Sequence, residues 1–93
     1  MSSTVVDNAG AHRLEIADGD AIAFLTYRAN GDAIEYVHSE TPPALRGKGY
    51  ASALAKFGLE RDKAAGRKVI ATCPFVKTYI ERHPEYASLV QAG

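Results

Sequence analysis

The sequence predicts an α+β domain, in which an antiparallel or mixed β-sheet is combined with two main helices. Three segments in the first 40 residues alternate apolar and polar side chains, and dipeptides typical of tight turns separate them. After Pro42-Pro43 the apolar residues recur with a helical period. A compact apolar segment, Lys68–Thr72, and a second helical segment then follow. The order of strands, helix, strand and helix favours an α+β fold.

The predicted meander has three strands. They are Arg13–Ile16, Ala21–Arg28 and Ala33–His38. The turns between them contain Asp18-Gly19 and Asn30-Gly31, residue types that tolerate the positive φ of tight hairpins. A short strand at Thr4–Asp7, turned by Asn8-Ala9-Gly10, is expected ahead of the meander.

Two helices are predicted in the second half of the chain. The first has a stripe of small and apolar residues at spacings of three and four, and Gly66 ends it. The stripe comprises Ala51, Leu54, Ala55, Gly58 and Leu59. The second helix is expected from Phe75 to about Arg82, because Pro74 suits a first helical position and Pro84 cannot continue the helix.

Composition predicts an ordinary globular chain that forms a single domain over residues 1–93. Hydrophobic residues make up 46% of the chain and charged residues 24%. Eleven basic and eleven acidic residues give a formal net charge of zero, whereas proteins that track nucleic-acid phosphates usually carry a strong basic excess. We therefore expect no nucleic-acid partner.

Cysteine content and hydropathy lead to further exclusions. Cys73 is the only cysteine, so an internal disulfide and a cysteine-based zinc cluster are ruled out, and neither His12 nor His83 has a companion at metal-ligand spacing. No apolar run is long enough to cross a bilayer, and the first 20 residues do not resemble a leader. These observations predict a cytoplasmic protein without a metal or a membrane partner.

The loop before the first helix lacks the usual capping residues. Gly47 and Gly49 stand where Ser, Thr, Asp or Asn would normally accept the first N–H groups, and Arg46 and Lys48 stand where the helix dipole favours anions. An external phosphate or diphosphate would satisfy both features. The alternative is a solvated glycine turn whose N–H groups bond to water.

Two common phosphate motifs do not fit this loop. The P-loop requires Ser or Thr after its lysine, but Gly49 follows Lys48. The dinucleotide fingerprint requires a third glycine where Ser52 stands. The stretch Arg46–Ala51 instead fits the pattern of Gln or Arg, two residues, Gly, one residue, then Gly or Ala, which is the acetyl-CoA loop motif of the Gcn5-related N-acetyltransferases.

The chain resembles the very small, single-domain members of this superfamily from about Val5 to Val90. The stretches "HSETPPALRGKGYASAL" and "VIATCPFVKTYIERHPEY" carry the resemblance. It implies a mixed sheet with two helices and a V-shaped opening between the strand that ends near Glu40 and the strand that ends at Cys73. In the superfamily the pantetheine arm of the cofactor lies in that opening.

The resemblance also assigns cofactor-binding residues, with acetyl-CoA as co-substrate. The loop residues expected to hold its diphosphate, mainly through backbone N–H groups, are Arg46, Gly47, Lys48, Gly49, Tyr50 and Ala51. Phe75 and Tyr79 lie four apart on the second helix, which is ordinary core spacing. We expect both to pack in the core and to contact the pantetheine arm.

Cys73 is the first catalytic candidate. Larger members of the superfamily commonly have an asparagine at this strand end and a tyrosine seven residues later, whereas this chain has Cys73 and Ile80, with Tyr79 one place earlier. Because Cys73 precedes Pro74, it would cap the second helix, where the dipole favours a thiolate and permits a covalent acetyl-cysteine step. The alternative is an unreactive cysteine that fills the strand end.

His38 and Glu40 are the other catalytic candidates. They lie two apart on one strand, so their side chains share a face of the sheet. Either could accept the amine proton, directly or through water. The alternative for each is a solvated or hydrogen-bonded residue at a strand end.

The resemblance implies two alternative functions. The first is an acetyl-CoA-dependent N-acetyltransferase that acts on a primary amine of a small molecule or a protein. The second is a non-catalytic acyl-CoA-binding or sensing module, since the usual tyrosine acid is lacking. In both cases the protein is expected to be a monomer or a weak homodimer.

Overall fold

The computed structural model describes residues 4–91, which form a five-stranded sheet, two α-helices and three short 3-10 helices. The strands are β1 (Val6–Asn8), β2 (Arg13–Asp18), β3 (Ala21–Asn30), β4 (Ala33–Glu40) and β5 (Lys68–Ala71). The α-helices are α1 (Tyr50–Ala65) and α2 (Pro74–Arg82), and the 3-10 helices are Ala9–Ala11, Pro43–Leu45 and Pro84–Leu89. Neither α-helix has the length and apolar character that a membrane crossing requires within residues 4–91. The α+β class predicted from the sequence is confirmed.

The sheet has the strand order β1-β2-β3-β4-β5, antiparallel as far as β4 and parallel between β4 and β5. The two predicted hairpin turns are present, with Gly19 at φ 64° and Gly31 at φ 63°. The first strand lies slightly later than the predicted Thr4–Asp7, because Asn8 still pairs with Arg13 before its side chain caps the first 3-10 helix. The meander strands also extend two residues beyond their predicted ends.

Both α-helices cover the same face of the sheet. One hydrophobic cluster joins Leu14 and Leu25 of the meander with Leu54 and Leu59 of α1 and Val76 of α2. The alternate residues of the meander point to the opposite face, on which the structure places neither α-helix. The sheet therefore has one covered face and one open face.

A buried hydrogen bond joins α1 to the sheet. Asp62 is fully buried in α1, and its carboxylate accepts a hydrogen bond from the Tyr36 hydroxyl of β4. Burial raises the pKa of Asp62, and it also raises the pKa of Tyr36. Gly58 makes room for the ring, because a Cβ there would lie 2.5 Å from the Tyr36 hydroxyl oxygen. The sequence stripe identified Gly58 but not Asp62, since a charged residue did not fit an apolar pattern.

The segment after α2 closes the core. The helix ends at Arg82, as the position of Pro84 predicted, and a 3-10 helix follows. Buried Tyr86 belongs to the core and donates its hydroxyl to Glu60, so it anchors this segment to α1. Two hydrogen bonds join this part of the chain to β5: Lys68 Nζ donates to the Ser88 carbonyl at 3.0 Å, and Gln91 N–H donates to the Val69 carbonyl at 2.9 Å.

Candidate functional site

The glycine loop before α1 has the conformation that an anion cradle requires. Gly47 and Gly49 adopt φ angles of 83° and 77°, which side chains rarely tolerate, and a Cβ built at either position meets no heavy atom within 4 Å. Gly49 is the N-cap of α1 and provides no side-chain hydrogen bond. The helical ladder begins with Ala53 N–H donating to Gly49 O at 3.0 Å, so the amides of Ala51 and Ser52 precede it.

A cavity of about 230 Å³ lies over this helix start. Its walls come from the end of β4, the glycine loop, the first turn of α1 and the first turn of α2. They include Thr41, Arg46, Gly47, Gly49, Ala51 and Phe75. The expectation that both aromatic residues pack in the core is confirmed for Tyr79 and wrong for Phe75, which keeps 38% of its surface exposed because it lies on the outward side of the first turn of α2. Tyr79 lines an adjoining cavity that Phe75 shares. The loop residues predicted to bind a cofactor, apart from Lys48, thus lie with Phe75 and Tyr79 along two adjoining cavities.

Asp18 holds the loop in place. Its carboxylate accepts a hydrogen bond from Lys48 Nζ at 3.0 Å and another from the Tyr50 hydroxyl at 2.6 Å. The hydrogen bonds from Tyr50 and then from Lys48 lower the pKa of Asp18. Arg46 instead donates to the Thr41 carbonyl at 3.3 Å. Sequence reasoning treated Asp18 only as a turn residue, because nothing local shows that the β2–β3 turn lies beside the loop.

A splay opens between β4 and β5, as the resemblance implied. Their ladder ends with the pair Tyr36 and Ala71, and beyond it Cys73 N–H donates to the Tyr36 carbonyl at 2.8 Å. The register between β3 and β4 shifts at this point, which leaves Val37 as an extra residue in β4. This bulge accompanies the divergence of the last four residues of β4 from β5.

Cys73 lies at the base of the splay and on the covered face. It is the N-cap residue of α2, as predicted from its position before Pro74. Its side chain is buried, with 2% of the residue exposed, and the thiol donates to the Ser39 hydroxyl at 3.5 Å. Ser39 pairs with Leu25, a core residue, so it points toward the helices. The sequence offered no signal for Ser39 beyond its alternation in the strand.

His38 and Glu40 lie on the open face instead. Their partners across the sheet are Thr26 and Phe24, and the His38 Nε2 to Glu40 Oε1 distance is 3.3 Å. Both side chains are 62% exposed. The structure therefore brings these two candidates together, as their spacing predicted, but it places Cys73 on the opposite side of β4.

The segment that leads into α2 is fixed by Glu35 of β4. One carboxylate oxygen accepts from Arg28 Nε at 2.9 Å, and the other accepts from the Thr72 hydroxyl, one residue before Cys73. Although only 8% of its side chain is exposed, the bonds from Arg28 and then Thr72 hold the pKa of Glu35 at about 2. Glu35 therefore stays ionised near neutral pH. Sequence reasoning missed it, because it lies in the middle of a strand pattern.

Comparisons with known proteins identify the same kind of molecule. A family model described as GCN5-related N-acetyl-transferase matches residues 13–89, a range that includes the loop, the splay and both α-helices. The fold is similar to the NMR solution structure of a protein from Staphylococcus aureus described as a GCN5-like putative N-acetyltransferase. That match has a TM-score of 0.74 and 26% sequence identity, and it covers 97% of this chain and 89% of the other.

Proposed function

The chain belongs to the GCN5-related N-acetyltransferase family, and from this premise we propose that it transfers the acetyl group of acetyl-CoA to a primary amine. The observation that carries the proposal is the glycine loop at the start of α1, which opens into a cavity beside the β4–β5 splay. The lone buried cysteine is compatible with a reducing compartment, and we place the reaction in the cytoplasm.

The loop supplies what a diphosphate needs. The amides of Ala51 and Ser52 precede the helical ladder, and they lie at the positive end of the α1 dipole. Lys48 is neutralised by Asp18, whereas the guanidinium of Arg46 contacts only a carbonyl among its described partners. Backbone donors and Arg46 thus provide most of the attraction for the diphosphate, and Lys48 with Asp18 fixes the loop.

The splay provides a route from the cradle toward the reacting groups. An extended arm that follows the unpaired end of β4 would find backbone groups beyond Tyr36 that β5 does not use. Such an arm would bring its thioester near Ser39 and Cys73, where the two strands part. This arrangement supports the pantetheine position that the family resemblance implies.

The open face offers access to the acceptor amine. The attacking nitrogen must first be neutral, and its lone pair then forms the C–N bond while the C–S bond breaks. The proton lost by nitrogen passes to Glu40 or His38, directly or through water, and the departing thiolate takes up a proton. The 62% exposure of both side chains leaves room for an acceptor beside them.

We assign Cys73 to the wall of the thioester site and favour direct transfer over an acetyl-cysteine relay, because its thiol is buried against Ser39. In Cys73→Ala we expect acetyl-CoA binding to be retained and the transfer rate to remain within about threefold of the parent rate, a change of under 1 kcal/mol in the barrier. Loss of transfer with binding intact would support the relay instead.

A second candidate is a non-catalytic acyl-CoA-binding module. The observation that favours it is the separation of Cys73 from His38 and Glu40 by the thickness of β4. One measurement distinguishes the two functions. The protein is incubated with radiolabelled acetyl-CoA and a panel of small amines and lysine peptides. Labelled amine at a rate above the uncatalysed reaction supports the enzyme, and binding without labelled product supports the module.

The location of the cofactor is tested by thermal shift with acetyl-CoA, CoA, ATP and NADH. We expect stabilisation by the two CoA compounds only, and its loss in Gly49→Glu, whose carboxylate would occupy the cradle. Gly49→Gln is the matched control, because it has the same φ requirement and nearly the same volume without the charge. Equal ligand shifts in the parent protein and Gly49→Glu would contradict the proposed location.

A further inference from the structure

A cavity of about 540 Å³ lies beside β5, away from the glycine loop. Its floor is on the open face of the sheet, where Arg28, Glu35 and Ile70 form one row across β3, β4 and β5. The chain that follows β5 provides further walls, with Thr72 and with Lys77 of α2. A volume of this size is typical of sites that bind small molecules.

This cavity adjoins the groups proposed to react. Thr72, one of its walls, directly precedes Cys73 at the base of the splay. Arg28 shares a face of β3 with Thr26, and Thr26 is the partner of His38 across the sheet. Arg28 and His38 therefore lie on the same open face, about 7 Å apart along the strand direction. A molecule whose amine lies beside His38 can place its other end in the cavity.

Arg28 presents donor groups to the cavity. Its Nε donates to Glu35 at 2.9 Å, whereas its terminal nitrogens Nη1 and Nη2 bond to no other side chain in the described range 4–91. The pair with the nearly buried carboxylate restricts the position of the guanidinium. Because guanidinium N–H groups match the two oxygens of a carboxylate, Arg28 is suited to bind an anionic group of a ligand.

Lys77 adds a second positive charge. Its side chain is exposed on α2, and its ammonium group forms no ion pair or hydrogen bond with any of residues 4–91. Glu35 balances the charge of Arg28, so Lys77 leaves the cavity with an excess of positive charge. This excess favours an anionic ligand.

The carboxylate of Glu35 offers little to a cationic ligand. It accepts hydrogen bonds from three side chains, those of Arg28, Thr72 and Asn30, the last at 3.4 Å. Only 8% of its side chain is exposed. A ligand amine would therefore have to displace one of these donors, whereas a ligand carboxylate meets donors that are still available.

We propose that this cavity binds the far end of the acceptor and that the acceptor is a small ω-amino carboxylate. Arg28 and Lys77 bind its carboxylate, and its aliphatic chain lies against Ile70 and Val90, which also line the cavity. The amine then reaches His38, and five methylene groups, as in 6-aminohexanoate, suit the separation of about 7 Å. This inference rests on the proposed function, because it assumes that an amine is acetylated at the splay.

The test compares kcat/KM for 6-aminohexanoate and 6-aminohexanamide, two amines of the same length that differ in charge at the far end. The parent protein should prefer the carboxylate at least about tenfold, the effect of one charged hydrogen bond. Lys77→Gln should reduce this preference about threefold, since an exposed charge contributes modestly, and Lys77→Arg should retain it. Lys56→Gln is the matched control, because Lys56 is an exposed lysine of α1 that lines a different cavity.

The outcomes separate this inference from the function on which it rests. Equal kcat/KM for the two amines in the parent protein would overturn the inference and leave the acetyltransferase intact. It would also be overturned if Lys77→Gln kept the full preference or slowed both amines equally, because Lys77 would then not contact the carboxylate. A parent protein that acetylates other amines but neither of these two would overturn it as well. If no amine were acetylated at all, the proposed function itself would fail.

Discussion

The two α-helices begin in different ways, although neither N-cap residue provides a side-chain hydrogen bond. At α2 Cys73 N–H donates to Tyr36 and Pro74 has no N–H, so the amides of Phe75 and Val76 are the ones that precede the first helical bond, from Lys77 to Cys73. At α1 the ladder begins with Ala53, and a cavity lies where a capping side chain would be. The comparison indicates that the two helix starts differ chiefly in the left-handed glycines at 47 and 49, which keep side chains away from the start of α1 and leave it accessible to a ligand.

An acidic residue of the sheet holds the segment before each helix. Asp18 binds Lys48 and Tyr50 at the rim of the molecule, and Glu35 binds Thr72 from within the sheet. The Asp18 side chain is 35% exposed and that of Glu35 is 8% exposed. We therefore expect the start of α2 to depend on its acidic residue for folding more than the start of α1 does.

The largest expected loss of stability comes from a substitution in the middle of α1, which packs on the sheet, whereas its first turn faces a cavity. Gly58→Ala places a Cβ 2.5 Å from the hydroxyl oxygen of buried Tyr36. Overpacking of this kind costs typically about 1–3 kcal/mol, which exceeds the gain of about 1 kcal/mol from replacing glycine in a helix. Urea unfolding should show a net loss of stability.

Gly10→Ala is the control for this substitution, because a Cβ there meets only Asn8 Oδ1 at 3.9 Å. It should leave the unfolding free energy nearly unchanged. If Gly58→Ala were as stable as the parent protein, the contact between α1 and Tyr36 would have to relax at no cost. The middle of α1 would then tolerate a larger side chain, and the proposed tight packing there would be wrong.

The second-largest expected effect is the pH dependence of the stability that Glu35 provides. Its pKa falls from an ordinary value of 4.5 to about 2 on folding, so the ionised carboxylate stabilises the native state above pH 4.5. That contribution is lost as the pH falls from 4.5 toward 2. Glu35→Gln should unfold at a lower temperature at pH 7, and its difference from the parent protein should shrink across this acidic range. A difference that is constant with pH would contradict the prediction.

The smallest expected effect is that of Asp18→Asn. The carboxylate is partly exposed, and ion pairs between exposed groups contribute little to stability. Its melting temperature at pH 7 should decrease less than that of Glu35→Gln, and acetyl-CoA should still stabilise it. A larger decrease in Asp18→Asn than in Glu35→Gln would reverse the proposed ranking of the two residues.

Much of the architecture could be predicted from local patterns. Alternation located the meander strands, and Gly66 and Pro84 located the ends of both α-helices. The prediction that His38 and Glu40 share a face is confirmed, because side-chain direction along a strand depends only on spacing. The bulge at Val37 was not predicted, since an extra residue in one strand is visible only against the register of its neighbour.

The polar contacts that shape the site could not be predicted from the sequence either, because they join residues far apart in the chain. Asp62 resembles a surface residue of a helix until Tyr36 is placed beneath it. Asp18 resembles a turn residue until the loop is placed beside it. Each contact joins residues at least 26 positions apart, so no local pattern records it.

The sequence by itself determined the elements of this protein, the glycines of its loop and the pairing of His38 with Glu40 on one strand face, because each depends on neighbours within a few residues. Tertiary structure alone decided that Cys73 lies across β4 from that pair and that Phe75 of α2 lines the cavity over the loop. These relations depend on strand register and on how α2 packs beside α1, and long-range packing fixes both.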